Sequence, residues 1–441
     1  MKYLDIIKIL DQIKEQGYSY IQLSPCQKSR TTRPISSPKH HKGIQWYYQY
    51  QPLEFKVGNY YGTKQELYQL TQYAHKLNIK VIADLCLNFV AELEIAGRKE
   101  WDKAEKLAKN NDQSLLERYQ TILDRAYPPF NLKDFKPRTY YNKHINKRLN
   151  NWYMGQLPAL KTDTEKVQKV HFAYLKELVE SGIDGFRWDC AQWYKPNVLK
   201  KYLDYAKSLK TSNYLEVIEK RNFKKINTYN KIDRISDYNL GLELIKIFRS
   251  RNRYWIKDVQ KLERRIKSFH PNNITFAVNH DTYNCEQSRL FLKFDDNSDR
   301  STEILATCLL LTIKNGVPLI FKETAKSKLV QTGVKFKSLM YKESESNILR
   351  TNNQNIVLVQ RGTKGLCIIN RGSNYAGDLQ VKYKLSGIFK QLDHENTVTI
   401  KDNKIKEFKI SRKTCTYFSR IGNIKEKPVF DYYTDFPLLK N

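Results

Sequence analysis

Apolar residues along the chain switch repeatedly between helical and strand spacing, and the switches outline its elements. Residues 3–16 carry apolar side chains three and four positions apart and stop at Gly17, as an amphipathic helix does. Residues 18–24 read as a strand ended by Pro25, and the aromatic run 46–52 as a loop or short strand. Helical spacing returns over 64–78, followed by a strand at 80–84. A long amphipathic helix over 161–181 leads into a strand at 185–189, and a helix at 196–209 precedes a strand at 214–218. Further strands are predicted at 232–236, at 274–278 after a basic helix over 255–269, and at 317–321 after a helix over 301–314.

Helix and strand therefore alternate to about residue 323, which calls for a parallel α/β sheet with crossover helices. The count of about eight βα units favours a closed (β/α)8 TIM barrel over an open doubly wound sheet. The barrel is expected over 1–89 and 156–334. Residues 90–155 are polar and longer than a crossover needs, so they read as a subdomain inserted after the third strand. Beyond 335 the pattern becomes short alternating runs at 355–359, 365–369, 397–400 and 415–418, with turns at Arg361-Gly362 and Arg371-Gly372. That is a C-terminal antiparallel β-domain over 335–441. No internal repeat or low-complexity linker interrupts this order.

Composition agrees with a folded chain: 40% of the residues are hydrophobic and 12% aromatic over 441 positions, enough for two or three units around a large core. Charge complicates the picture, because 77 Lys and Arg against 46 Asp and Glu leave +31. Such a field attracts polyanions. The basic residues are nevertheless dispersed, and the abundance of Lys, Asn, Tyr and Ile is also what drift in an AT-rich genome produces. Lacking a phosphate-cradling glycine loop or a nucleic-acid module, the sequence predicts no specific nucleic-acid partner. The 7 cysteines have no CxxC pair and no zinc spacing, and several lie in apolar runs, as reduced buried thiols do. The first residues lack the apolar run of a signal peptide, and the longest apolar stretch, 304–313, is too short to span a membrane. A cytoplasmic monomer is the expectation, unless a signal has been trimmed.

Candidate chemistry concentrates at strand ends. In Gly182-Ile183-Asp184-Gly185-Phe186-Arg187-Trp188-Asp189, alternation puts Arg187 and Asp189 on one face and Phe186 and Trp188 on the other. By itself this pair fits a structural ion pair capping a strand, or a carboxylate held ionised as a nucleophile. Three more acids stand at predicted strand ends: Asp84, Glu216 and Asp281. In a barrel the active site lies at the carboxyl ends of the strands, and paired acids with separated pKa values are what glycoside hydrolysis uses.

These residues resemble the characteristic blocks of the α-amylase family of glycoside hydrolases, most closely its short bacterial saccharifying members. Asp84-Leu85-Cys86-Leu87-Asn88-Phe89 looks like the first block, residues 185–193 the second, Leu215-Glu216-Val217 the third, and Val278-Asn279-His280-Asp281-Thr282-Tyr283 the fourth. Supporting matches at 46–52, 59–63, 157–162, 316–321 and 360–362 extend the resemblance over nearly the whole chain. The resemblance implies Asp189 as nucleophile and Glu216 as general acid/base. It implies Asp281 as the carboxylate that binds sugar hydroxyls and stabilises an oxocarbenium-like transition state. Arg187 would keep Asp189 ionised, and His280 would bond sugar hydroxyls. Tyr47, Tyr50, Gln51, Asp84 and Trp193 match substrate-binding positions. For Tyr47 and Tyr50, ordinary packing stays open among 30 tyrosines. Glu219 is the alternative to Glu216, but strand alternation points it to the other face.

The departures matter as much. Phe89 replaces a family histidine, Gln192 and Trp193 replace Lys-His on the leaving-group side, and Ala159 stands where Leu-Pro-Asp-Leu supplies an aspartate. Asn88 matches a calcium-ligand position and Trp193 could offer a backbone carbonyl. Losing a carboxylate weakens a site for a hard ion, so Ca2+ is possible but not expected to bind tightly, and no cofactor is expected to be required. The implied function is a retaining α-glucan hydrolase cutting α-1,4 bonds of starch, glycogen or maltodextrins through a covalent glycosyl-enzyme. A 4-α-glucanotransferase uses the same acids, and Phe89, Gln192 and Trp193 also fit a weakly active or non-catalytic glucan-binding relative.

Overall fold

The computed structural model describes residues 1–31, 46–91, 127–136, 157–217, 223–249, 255–268, 272–284, 300–344 and 346–422; the chain divides into two units, Met1–Asn239 and Leu240–Asn441. Strands of the first unit are β1 (Tyr20–Leu23), β2 (Gln27–Ser29), β3 (Pro52–Val57), β4 (Lys80–Leu85), β5 (Gly185–Trp188), β6 (Ser212–Val217) and β7 (Ile235–Asp237). Five of them run parallel in the order β1-β4-β5-β6-β7, while β2 and β3 pair antiparallel. Helices Lys64–Lys76, Glu165–Glu180 and Pro196–Ser208 supply crossovers. A reciprocal Thr63–Glu66 capping box starts the first of these, and Pro196 opens the last at a position where its missing N–H costs nothing.

Parallel strands covered by helices bury both faces, and all four residues of β5 are buried. Trp188 packs edge-on to Tyr202 at 6.1 Å, and its indole N–H donates to Asn213 Oδ1 at 3.1 Å. Register aligns the strand ends that matter. Asp84 lies level with Arg187 and Trp188 with Leu215, so Asp189 and Glu216 follow at one height. Gly185 makes this closeness possible: a Cβ there would overlap the Ser212 carbonyl oxygen and sit 2.8 Å from Ile82 Cδ1. Gly185→Ala is expected to cost ~1–3 kcal/mol through overpacking. Urea unfolding should show it as a lower midpoint with an unchanged slope, and an unshifted midpoint contradicts the close approach.

The single helix predicted over 3–16 is two, Tyr3–Ile7 and Leu10–Glu15, separated where Ile9 takes φ −114 and ψ 1. Apolar spacing resumes in phase after the break, so periodicity cannot register it. Most of the expected subdomain 90–155 lies outside the described residues. Residues 127–136 pack on the first unit, with the Tyr127 hydroxyl donating to the Ala91 carbonyl at 2.6 Å and Phe130 against His171 at 6.2 Å.

In the second unit, β8 (Ile274–Thr275) pairs parallel with β9 (Val317–Pro318). The helix Ser301–Thr312 buries Leu305, Cys308, Leu309, Leu310 and Leu311, so it is apolar on nearly every side. No helix among the described residues is long and apolar enough to cross a membrane. The antiparallel strands are β10 (Ser346–Arg350), β11 (Ile356–Arg361), β12 (Gly365–Asn370), β13 (Tyr375–Gln380), β14 (Gly387–Gln391), β15 (Thr397–Ile400), β16 (Lys404–Ile410) and β17 (Thr414–Gly422). Six form a sheet ordered β10-β11-β12-β17-β14-β15, and β13 pairs with β16, around Leu358, Leu366, Ile368, Leu379, Phe389 and Phe418. The sequence pattern did not predict β10, β13, β14 or β16. In β13 only Leu379 is buried, and β16 exposes Lys406, Glu407 and Lys409, so polar strands of this kind carry little apolar alternation.

Candidate active site

Strand ends β4, β5 and β6 deliver one guanidinium and three carboxyl groups to the same place. Arg187 Nη1 is ion-paired with Asp84 Oδ2 and lies 3.2 Å from Asp189 Oδ1, while its Nη2 pairs with Glu216 Oε1. Arg187 is 2% exposed, Asp84 and Glu216 are fully buried, and the Asp189 side chain keeps 10% of its surface. Asp189 and Glu216 offer oxygens within 4.8 Å of each other. The Tyr50 hydroxyl donates to Asp84 Oδ2 at 2.7 Å, whereas Asp84 Oδ1 has no hydrogen-bond partner among the described residues. Immediately after Asp189 the backbone turns through Cys190 in the left-handed region, φ 52 and ψ 40, a strained conformation for a residue with a Cβ. That turn aims the Cys190 N–H at Glu216 Oε2, 3.3 Å away.

Charge follows from this arrangement. Burial opposes the Arg187 charge, but Asp84, Glu216 and Asp189 overcome that penalty and raise its pKa further. Burial, and then the facing Glu216, push the Asp189 carboxyl well above its ordinary value, with Arg187 opposing the rise. The Asp189 carboxyl, hydrogen-bonded to Glu216, therefore keeps its proton above the ordinary carboxylate range. One ionised carboxylate beside one protonated acid can attack a carbon and protonate its leaving group. Arg187 favours the ionised form of Asp189, as the resemblance implies, but burial and Glu216 outweigh it.

Other predicted residues fall into different settings. Trp193 lies on the turn Ala191–Trp193 and packs with Tyr50 on the small cluster of Cys86, Phe89 and Leu157, its ring 6.3 Å from Phe89. Tyr47 packs edge-on between Trp46 at 5.8 Å and Tyr48 at 5.0 Å, and Gln51 is buried. His280 and Asp281 sit in the second unit on the short helix His280–Asn284, His280 Nε2 being 3.3 Å from Asp281 Oδ1, with 19% and 23% of the side chains exposed. The competitor Glu219 lies outside the described residues. Two contributors went unrecognised in the sequence. The buried Tyr238 donates its hydroxyl to Glu216 Oε1, and the Cys190 thiol stands among the acids. Tyr238 directly follows β7, so a polar aromatic at the next strand end was the available signal.

The donor set around Asn88 tests the calcium expectation. Asn88 Nδ2 reaches the carbonyls of Asp189 and Cys190 at 3.5 and 3.4 Å, and its Oδ1 is buried without a hydrogen-bond partner among the described residues. Opposite it, Ala159 pairs with Phe89 and offers only a methyl group. One amide oxygen without a carboxylate does not fit a hard dication that takes six or more oxygens.

Residues 4–324 match the sequence model of the α-amylase catalytic domain. Among curated proteins, α-amylase 3 of Dictyoglomus thermophilum is 29% identical over 273 residues, which cover 59% of this chain and 50% of that protein. The chain spans about half the length of the curated relatives it matches. An Anoxybacillus α-amylase structure superimposes with a TM-score of 0.70 at 18% identity, covering 96% of this chain and 91% of the other. A γ-CGTase from the alkalophilic Bacillus clarkii does so with 0.67 at 14%, covering 96% and 65%. With the parallel strands and helices above, these likenesses establish the fold as a (β/α)8 barrel followed by an antiparallel β-domain.

Proposed function

Because this chain belongs to the α-amylase family of glycoside hydrolases, we propose that it is a retaining hydrolase of α-1,4-glucans such as starch, glycogen or maltodextrins. The supporting observation is the Asp189–Glu216 pair, with oxygens within 4.8 Å on one guanidinium. Retaining enzymes hold their two carboxyl groups close, roughly 5–5.5 Å apart, because the nucleophile attacks directly; inverting enzymes leave about 6.5–9.5 Å for a water. In the first step Asp189 attacks the anomeric carbon while Glu216 protonates the departing glycosidic oxygen, leaving a glycosyl ester on Asp189. Glu216, now ionised, takes a proton from water, whose oxygen attacks the same carbon and frees Asp189. Cys190 N–H and Tyr238 hold the Glu216 carboxyl in place during both transfers.

A 4-α-glucanotransferase differs only in what attacks the glycosyl ester. The half-buried Trp193 ring, backed by the buried Phe89 at 6.3 Å, favours this second reading, since a flat ring holds a sugar face and excludes water. Product analysis with maltoheptaose separates the two. Shorter maltooligosaccharides only, lost in Glu216→Gln by about 10²–10⁴-fold, support hydrolysis. Products longer than the substrate support transfer, and glucan binding without any product contradicts both.

Catalysis through these carboxyl groups needs no metal, and we further propose that calcium is dispensable. Treatment with EDTA should leave both turnover and the melting temperature within error. A fall of several degrees on chelation, reversed by Ca2+, counts against it.

A further inference from the structure

One thiol stands among the catalytic carboxyl groups. Asp189, Cys190 and Glu216 each present a ligand atom, all within 4.8 Å of one another, and this is the one such group of three His, Cys, Asp or Glu side chains among the described residues. All three residues are buried. Three carboxyl groups, with Asp84, face the single Arg187 guanidinium, so the cluster carries more potential negative charge than its cation balances. A divalent cation held among these groups offsets that excess.

We propose that Asp189, Cys190 and Glu216 form an inhibitory site for a thiophilic divalent cation of the zinc type. Zinc binds carboxylate oxygen and thiolate sulfur at roughly 2.0–2.3 Å in tetrahedral geometry, which places ligand atoms ~3.3–3.8 Å apart. Atoms already within 4.8 Å reach that spacing by small side-chain rotations. The thiolate is what distinguishes zinc from calcium or magnesium, which prefer oxygen alone. A second observation comes from Asn88, whose amide lies against the carbonyls of Asp189 and Cys190 and whose buried Oδ1 has no hydrogen-bond partner among the described residues. Entry is through the 10% of the Asp189 side chain left exposed. Binding releases into solvent whatever protons the three ligands carry and occupies both catalytic oxygens, so turnover stops without any covalent change.

This proposal assumes that Asp189 and Glu216 do the chemistry, but its binding test does not. Co2+, the usual spectroscopic stand-in for zinc, should add a sulfur-to-metal charge-transfer band to the purified chain at one ion per molecule, and Zn2+ should abolish that band by displacement. The band should vanish in Cys190→Ala and in Cys190→Ser, and persist in Cys86→Ala, whose thiol lies nearby but outside the triad. Where maltoheptaose is cleaved, each protein is compared with itself with and without metal. The Zn2+ concentration for half-inhibition should rise at least about tenfold in Cys190→Ala, because losing even a supporting contact costs a metal site 10–100-fold. Mg2+ should not inhibit. Absence of a bound ion, a band that survives both Cys190 variants, or equal zinc sensitivity in wild type and Cys190→Ala each overturns the site. Zinc binding by a chain that cleaves no glucan would keep the site and discard the proposed activity.

Discussion

Asp189→Asn is expected to lower turnover by at least about 10⁴-fold, the scale on which losing a nucleophile acts, while the melting temperature at pH 7 rises. Both effects have one origin. Burial and Glu216 raise the Asp189 carboxyl above its ordinary value of 3.8. Between the unfolded value and that raised value the native chain holds a proton that the unfolded chain has lost. The contribution of this group to stability is therefore fully present below pH 3.8 and is lost as pH rises through the raised value. An amide cannot ionise, so Asn keeps the favourable neutral state and removes the penalty at pH 7. Melting curves of the two proteins should converge towards pH 4. For wild-type kcat/KM, the same shift places the acid limb above the ordinary carboxylate range, because the nucleophile must ionise against burial. A variant that retains a tenth of the activity removes Asp189 from the role of nucleophile. One that is less stable than wild type at pH 7 shows the Arg187 pairing to outweigh the burial.

Removal of the guanidinium should have the largest effect on folding. Arg187→Ala leaves Asp84, Asp189 and Glu216 buried together without their cation. Breaking one partner out of a buried ionic cluster costs roughly 3–5 kcal/mol, since the groups left behind stay desolvated. The loss should shrink as pH falls, because Asp189, whose carboxyl burial already raises, relieves it by taking up a proton. Arg187→Lys should recover part of the stability but not the activity. A single ammonium lacks the planar fork with which Nη1 meets Asp84 and Asp189 and Nη2 meets Glu216. Urea midpoints measured from pH 4 to 8 decide the matter. A shift of a few tenths of a kcal/mol, independent of pH, would mean that water enters the cluster.

How much of this was legible beforehand depended on the kind of signal. Parallel strands announce themselves as continuous apolar runs, so β4, β5 and β6 were found within two residues of their ends. Strands such as β13 and β16 do not, because β13 buries only Leu379 and the left-handed Glu407 breaks the alternation of Ile405 with Phe408 and Ile410 in β16. The acids Asp84, Asp189 and Glu216 were legible because a carboxylate ending an apolar strand is costly enough to need a reason. Tyr238 was not, because a tyrosine carries no such cost and its hydroxyl finds Glu216 only after β6 and β7 align.

By itself the sequence determined the alternation of helix and strand and the acids at the strand ends. Each of these is a property of residue type and local spacing, which a linear chain already contains. Only the tertiary structure decided that one guanidinium serves three acids, that Tyr50 bonds Asp84, and that a thiol stands beside the pair. Those facts depend on strand register, on the left-handed turn at Cys190 and on the close approach allowed by Gly185. Register brings together residues 103 and 29 positions apart, and no local pattern encodes a distance across neighbouring strands.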